Sequence, residues 1–524
     1  MSAQISVYEL LLDSAQTHAS RPAFRQASGD VTYAALLHDV QCTARKLVHS
    51  GIQPGERIAV YAGKHYDTVV MFLAINAMGA VLVPINPQLK APQVRHILLD
   101  SGACLFVSTG SRLKRHAAVY QDLPITPWAL EEKALQALDS PPSSAPFSRT
   151  TTATDNDPAV ILYTSGSTGR PKGVVLSERN LVAGAHSVAD YLSLQCDDVI
   201  LGVLPLSFDA GLSQLTTALA CGACYVPLDF LQASEVPRCC QAHGVTTITG
   251  VPPLWVQLAS VPWPSQTAAR IRRFANTGGH MPAPLLARLQ QTFPEAQPFL
   301  MYGLTEAFRS TYLPPSAVAT HPDSIGKAVP NAAIHVVRAD GTECDPGEHG
   351  ELVHRGAFVT LGYWNAPELT AQRFRPWPGA NPQVSRTEIA VWSGDIVYRD
   401  QDDYLYFVAR QDDLIKTSGY RVSPTEIEEV LFAVDQVIEA AAYGVAHPQH
   451  GQAIVISVVT APDQPITAQA LIGLCREQLP TYMVPLHVSF HDTPLPRNPN
   501  GKIDRQQLKQ RFSAFFSAAP TATE

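Results

Sequence analysis

Charge is what this sequence has least of: only 16% of its 524 residues are Asp, Glu, Lys or Arg, against about 25% in an ordinary soluble domain. Basic residues are outnumbered 38 to 46, for a net charge of −8, so no general positive field exists to attract a nucleic acid. Any phosphate must be held locally. A hydrophobic fraction of 46% also excludes a disordered chain.

Cysteine is short of pattern rather than of number. The nine cysteines form an odd set without regular spacing, which excludes a disulfide framework and favours a reducing compartment. Cys221 and Cys224 make the one CxxC pair; with no second pair at finger-like spacing and no redox context, they read as small buried hydrophobes, as do Cys239 and Cys240. A secretory signal is lacking too, because Glu9 and Asp13 interrupt the first apolar run and no basic head precedes it. The longest uncharged window, 68–89, has the length of a membrane span, yet Asn76, Gly79, Pro84, Asn86 and Pro87 break it. It divides into a helix over 69–78 and a buried strand over 81–84. The expectation is a soluble, cytoplasmic protein with no membrane insertion and no nucleic-acid partner.

What is abundant is alternation. Apolar β-rich runs at 58–61, 80–84, 103–107, 159–163, 199–204, 223–227 and 247–251 are separated by helix-length segments, the pattern of parallel sheets covered on both faces. Length alone allows several ordinary domains or one large α/β body with an appendage. The Pro/Ser/Thr-rich stretch 140–158 reads as a surface connection. After about Asp395 the texture changes, and an amphipathic helix starts at 426–432. The polar run Arg410-Gln411-Asp412-Asp413 reads as a hinge, dividing the chain into a body at 1–410 and a smaller α+β unit at 411–524.

The sharpest local signal is Tyr163-Thr164-Ser165-Gly166-Ser167-Thr168-Gly169-Arg170-Pro171-Lys172-Gly173, set between a strand and the strand-like Val174-Val175-Leu176, with a helix opening at Ser177-Glu178. Glycines allow tight turns with inward amides, hydroxyls add donors and a lysine adds charge, which is what a polyphosphate cradle needs. It is not a Walker loop, since Pro171 stands where glycine must precede the lysine.

On these residues the sequence resembles the AMP-forming adenylating enzymes: acyl-CoA synthetases, luciferases and nonribosomal adenylation domains. The resemblance continues in Met301-Tyr302-Gly303-Leu304-Thr305-Glu306, Trp392-Ser393-Gly394-Asp395, Arg410-Gln411-Asp412, Lys416-Thr417-Ser418-Gly419-Tyr420-Arg421 and Asn500-Gly501-Lys502, in the family order. Ala409, where the family usually has glycine, is one small departure. The implied fold is α/β, with a large N-terminal domain of parallel and mixed sheets covered by helices plus a distorted β-barrel, followed by a small mobile α+β lid.

The resemblance also implies roles. Thr164, Ser165, Gly166, Ser167, Thr168, Gly169 and Lys172 would hold the ATP phosphates; Tyr302 would stack on adenine, Thr305 would contact the α-phosphate, and Glu306 would help hold magnesium. Asp395 would take the ribose hydroxyls, with Arg410 beside them. Lys502 would bridge the substrate carboxylate and the α-phosphate. Asp412 would be the hinge, and Gly419 would enter the thiol channel when the lid rotates for thioester formation. Catalysis by positioning and electrostatics requires no nucleophile, so the absence of a GxSxG elbow is expected.

The segment Ser207-Phe208-Asp209-Ala210 resembles the Phe-Asp of amino-acid adenylation domains, whose aspartate pairs with the substrate α-ammonium; an alternative role for Asp209 is capping a helix that starts at Ala210. Carried over residue by residue, the acyl pocket would be lined by Asp209, Ala210, Ser213, Gly250, Asn276, Gly278, Met301, Arg309 and Ser310. This small polar set suits no long alkyl chain. Arg309 either receives a side-chain carboxylate or similar acceptor from the substrate or makes an internal salt bridge.

Within the superfamily the sequence most resembles the exosortase A-associated acyl-CoA ligases, on Ser207-Phe208-Asp209, the run from Tyr302 to Pro315, and Ile415-Lys416-Thr417-Ser418-Gly419-Tyr420. The chain ends 20 residues after Asp504 with no carrier domain, so the expected acceptor is a phosphopantetheine thiol on a free-standing carrier protein or on CoA. A short- or medium-chain acyl-CoA synthetase is the alternative. A non-catalytic relative is disfavoured by the presence of Lys172, Glu306, Asp395, Arg410 and Lys502, and a luciferase-like monooxygenase has only the fold in its favour.

Overall fold

The computed structural model describes residues 6–130, 154–165, 171–379, 381, 383–385, 387–411, 413–417, 420–447, 450–461, 466–498, 501–512 and 515–516. The alternating apolar runs become two sheets. One has the strand order Thr126–Leu130, Leu105–Thr109, Arg57–Tyr61, Val81–Pro84, Pro158–Ser165, Pro171–Ser177, parallel until the last pair. The other has a parallel centre of Pro22–Gln26, Cys224–Pro227, Val199–Gly202, Thr247–Gly250, Arg273–Asn276 and Gln297–Tyr302. The predicted strands are thus present, with 103–107 displaced to Leu105–Thr109 and 199–204 ending early at Gly202.

The uncharged window folds as a helix and strand, Tyr66–Ala77 and Val81–Pro84. Every residue from Thr68 to Ala77 is buried, which is why the helix shows no polar face. Buried Glu178 ties neighbouring helices together, accepting from Asn76 Nδ2 at 2.8 Å and from the Val7 amide at 3.2 Å. No helix among the described residues is long and apolar enough to cross a membrane.

The expected distorted barrel is corrected by the strand pairing: among the described residues no barrel closes. From Gln297–Tyr302 the large sheet continues antiparallel through Thr311–Leu313, Ser324–Ala328, Leu405–Arg410, Ile389–Arg399 and Gly350–Gly356 to Ala332–Val337. Both edges of Ser324–Ala328 are occupied in carrying the sheet onward, and Ala332–Val337 remains an outer strand. The result is an open extension.

A separate five-stranded sheet begins at Ile415–Thr417, directly after the large sheet's strand ends at Arg410. Its core contains Ile415, Ile427, Leu431, Ile454, Ile456 and Leu471. The predicted amphipathic helix is Pro424–Phe432, started by Ser423.

Candidate active site

The carboxyl ends of parallel strands are the usual binding crevice of an α/β sheet, and several motifs meet there. The hairpin of Pro158–Ser165 with Pro171–Ser177 sets Thr164 opposite Lys172. Helix Glu178–Tyr191 then starts at Ser177 with a reciprocal cap from Asn180. Gly166, Ser167, Thr168 and Gly169 lie outside the described residues, as do Asp412, Gly419 and the side chain of Ser165.

Lys172 Nζ lies 3.2 Å from Glu306 Oε1 and donates to Tyr363 Oη at 2.8 Å, while Tyr363 Oη donates to Glu306 Oε1 at 2.6 Å. Thr305, half-buried, opens the short 3-10 turn that carries Glu306. Burial raises the Glu306 carboxyl, but Lys172 and the Tyr363 hydrogen bond outweigh it and hold the group below its ordinary range. The Tyr363 phenol is pushed up by burial and then by the Glu306 charge, so the trio is a cation, an anion and a neutral donor.

Tyr363 was absent from the sequence-derived set. It lies 57 positions from Glu306 in sequence, and the bridge between Val174 and Tyr363, with Leu361 N donating to the Val175 carbonyl and Thr360 N to the Glu306 carbonyl, brings it alongside the hairpin. Tyr363→Phe leaves Lys172 and Glu306 to close on each other. We expect the magnesium and ATP concentrations needed for half-maximal pyrophosphate exchange to rise about 3- to 10-fold, the scale of one hydrogen bond. Thioester formation from supplied acyl adenylate should be unchanged; magnesium titration of both half-reactions checks this.

Asp395 on Ile389–Arg399 is register partner of Arg410 on Leu405–Arg410, and Arg410 Nε stands 3.2 Å from Asp395 Oδ1. Tyr302 Oη donates a short hydrogen bond to Asp395 Oδ2. Asp395 Oδ1 nevertheless has no hydrogen-bond donor and is buried. An orphaned acceptor of this kind is suited to a hydroxyl of a bound sugar.

Lys502 reaches the same cleft from the smaller unit. Its turn is held by Asn498, whose Oδ1 accepts from the Lys502 amide at 3.0 Å and whose carbonyl accepts from Gly501 N at 2.9 Å. Gly501 has φ 78°, which glycine adopts without strain. Solvent reaches the Lys502 side chain, yet protein surrounds the ammonium and lowers its pKa, with burial first and Arg410 second; Asp395, Asp209 and Glu306 oppose the shift. The cleft therefore gathers Lys172, Glu306, Asp395, Arg410 and Lys502.

Asp209 is the first residue of helix Asp209–Cys221, whose N-cap is Phe208. The helix thus begins one residue earlier than the capping alternative required, and among the described residues Asp209 Oδ1 accepts from the adjacent Ala210 amide alone, at 2.8 Å. Arg309 Nη1 is 3.6 Å from Asp209 Oδ2, with side-chain exposures of 8% and 22%. Arg309 also donates to the carbonyl of Phe308 at 2.7 Å and of Asp209 at 3.5 Å, while its Nε is buried and unpartnered.

Ala210, Ser213, Met301 and Arg309 share a small, mostly apolar cavity with Tyr191 and Gln214, and Asp209 does not line it. Ser310 turns away to His354 Nδ1 at 3.0 Å, and burial depresses that histidine to about 3. Gly250, Asn276 and Gly278 do not line this cavity; Gly250 faces Trp255, Gly278 faces Val251, and Asn276 Nδ2 donates to the Gly279 carbonyl. Tyr191 and Gln214 were missed because their direction depends on packing between helices.

Among the described residues no group of three or more His, Cys, Asp or Glu could hold a metal. Glu306 is a single carboxylate beside Lys172. That fits magnesium, which takes one or two protein carboxylates together with substrate phosphates and water.

The cleft joins a lysine–carboxylate pair, a buried carboxylate with an unpartnered oxygen and a lysine from the smaller unit. The chain belongs to the AMP-binding enzyme family: that family's profile matches residues 11–364, and the profile of its C-terminal domain matches 426–502. A feruloyl-CoA synthase of Amycolatopsis sp is 31% identical over 94% of this chain and 96% of its own. An L-proline–[L-prolyl-carrier protein] ligase of Streptomyces coelicolor is 30% identical over 96% of each chain. ATP-bound MatB from Rhodopseudomonas palustris superposes with TM-score 0.88 at 26% identity, covering 98% of this chain and 100% of its own; apo MatB gives 0.76 at the same identity and coverages. The protein is an ATP-dependent, AMP-forming acid–thiol ligase acting on a carboxylic acid, and its relatives are named for CoA or a carrier protein as acceptor.

Proposed function

We propose that this ligase adenylates an amino acid with an acidic or polar side chain and passes it, in the cytoplasm, to the phosphopantetheine thiol of a free-standing carrier protein or CoA. The observation that carries the proposal is the pair of half-buried Asp209 with buried Arg309, whose guanidinium lines a small cavity together with Ser213 and Gln214. A half-buried carboxylate and a buried guanidinium 3.6 Å apart can exchange partners with a zwitterion, the α-ammonium going to Asp209 and a side-chain acceptor to Arg309.

In the first step a substrate carboxylate oxygen attacks the α-phosphorus of ATP and pyrophosphate leaves. Lys502 offsets charge between the carboxylate and α-phosphate, Thr305 contacts that phosphate, and Lys172 with the hydroxyls of Thr164, Ser165, Ser167 and Thr168 holds the β- and γ-phosphates. Tyr302 faces adenine, and Asp395 with Arg410 receives the ribose. Magnesium, held in part by Glu306, supplies charge neutralisation on the phosphates. In the second step the thiolate attacks the acyl carbon and AMP leaves. We assign the body to 1–410 and the lid to 411–524; rotation about Asp412 withdraws Lys502 and brings Gly419 to the thiol.

Pyrophosphate exchange across amino acids, short dicarboxylates and fatty acids tests the substrate class. Exchange with fatty acids alone overturns it. Arg309→Leu is expected to change the ranking of amino acids, with about a tenfold or larger loss for the preferred acid, in line with a charged hydrogen bond. A second reading, a short-chain acyl-CoA synthetase, is favoured by the same pair taken as self-neutralising; it predicts an unchanged ranking in Arg309→Leu.

A further inference from the structure

We propose that Gly184 and Phe308 form a positioning device that fixes Arg309 and thereby sets the specificity of the acyl pocket. The inference rests on the reading that Arg309 faces the substrate. Phe308 has φ 44° and ψ −49°, and the Arg309 amide donates to the Ala307 carbonyl across it. This is a γ-turn of the strained hand, centred on a bulky residue for which positive φ is an outlier. Strain of this kind persists only where the surroundings over-determine the conformation.

Gly184 provides that constraint. It lies inside helix Glu178–Tyr191, where glycine is intrinsically unfavourable. A Cβ placed there would stand 2.3 Å from Phe308 Cε1 and 2.5 Å from Cδ1. The missing side chain is the seat of the ring, which is fully buried. Two features then follow for Arg309: its guanidinium lies 4.8 Å over the seated ring, and its Nη1 donates to the carbonyl of the strained residue itself. The turn thus lets Glu306 reach Lys172 while Arg309, three positions later, reaches Asp209.

Arg309 lines the cavity with Nη1 and Nη2 each on a protein carbonyl, and a guanidinium with five N–H donors keeps capacity there for a further acceptor. The fitting substrate is a short amino acid whose side chain ends in a carboxylate or carbonyl oxygen. Positioning of this type should appear in the KM for the acid and leave ATP binding alone.

The test is steady-state pyrophosphate exchange with the panel acid that reacts best. Gly184→Ala is expected to raise the KM for that acid about tenfold and reorder the panel, with the KM for ATP within about twofold. Adding Phe308→Leu, which shortens the ring, should recover part of the loss, a non-additivity expected of contacting residues. If Gly184→Ala does not fold, Phe308→Leu alone, which leaves the helix intact, must raise the same KM. Unchanged acid kinetics in these variants, or equal losses toward acid and ATP with no recovery in the double variant, overturns the proposal. If Arg309→Leu reorders the panel but Gly184→Ala does not, only the positioning role falls; if Arg309→Leu changes nothing, the pocket assignment falls first and this inference with it.

Discussion

Lys502→Ala is expected to lower adenylate formation by about 10²- to 10³-fold, the loss seen when one preorganised donor to a developing charge is removed, while thioester formation from supplied acyl adenylate is retained. The asymmetry follows from placement. Lys502 enters the cleft from the small unit, on a turn fixed by Asn498, and the charges of Arg410, Asp395, Asp209 and Glu306 all act on it. Once the α-phosphorus has reacted, the lysine has no remaining task, and its removal leaves the acyl carbon as exposed to the thiol as before. Single-turnover assays of the two half-reactions check this; equal loss in both rejects it.

The same residue gives a pH dependence. Its pKa is lowered in the folded cleft, so the charged form is the disfavoured one and the proton is lost at a lower pH than from a free lysine. The kcat/KM for exchange, which reports the free enzyme, should therefore fall on the alkaline side below the usual lysine range. Lys502→Ala should lack that limb.

The pairings within the cleft are set locally: a hairpin sets Thr164 against Lys172, and a two-strand register sets Asp395 against Arg410. Short-range pattern carries such geometry. Tyr363 was illegible for the opposite reason, since it is long-range pairing of its segment with Val174, Val175 and Glu306 that brings it to the site. Gly184 carries no local signal, because the Phe308 ring it makes room for comes from a distant part of the chain. The barrel expectation failed because closure is decided by which edge each strand offers, and Ser324–Ala328 has both edges taken.

Asp209→Asn separates the two readings of the pocket most sharply. Asparagine keeps the volume and keeps an oxygen to accept from the Ala210 amide, so the start of the helix is preserved. It removes only the charge. If Asp209 binds an α-ammonium, exchange with amino acids should fall about 10²-fold, which is ~3 kcal/mol, the upper range for a hydrogen bond to a charged group. Acids without the ammonium should be unaffected. Short dicarboxylates should improve, because Arg309, only 8% exposed, is left as an uncompensated buried cation that a second carboxylate can satisfy. The unliganded variant should also melt at a lower temperature for the same reason, and a dicarboxylate should restore part of the loss by mass action. A uniform decline across all acids, with no ligand-specific recovery, would instead make Asp209 a structural partner of Arg309 and favour the short-chain acyl-CoA synthetase.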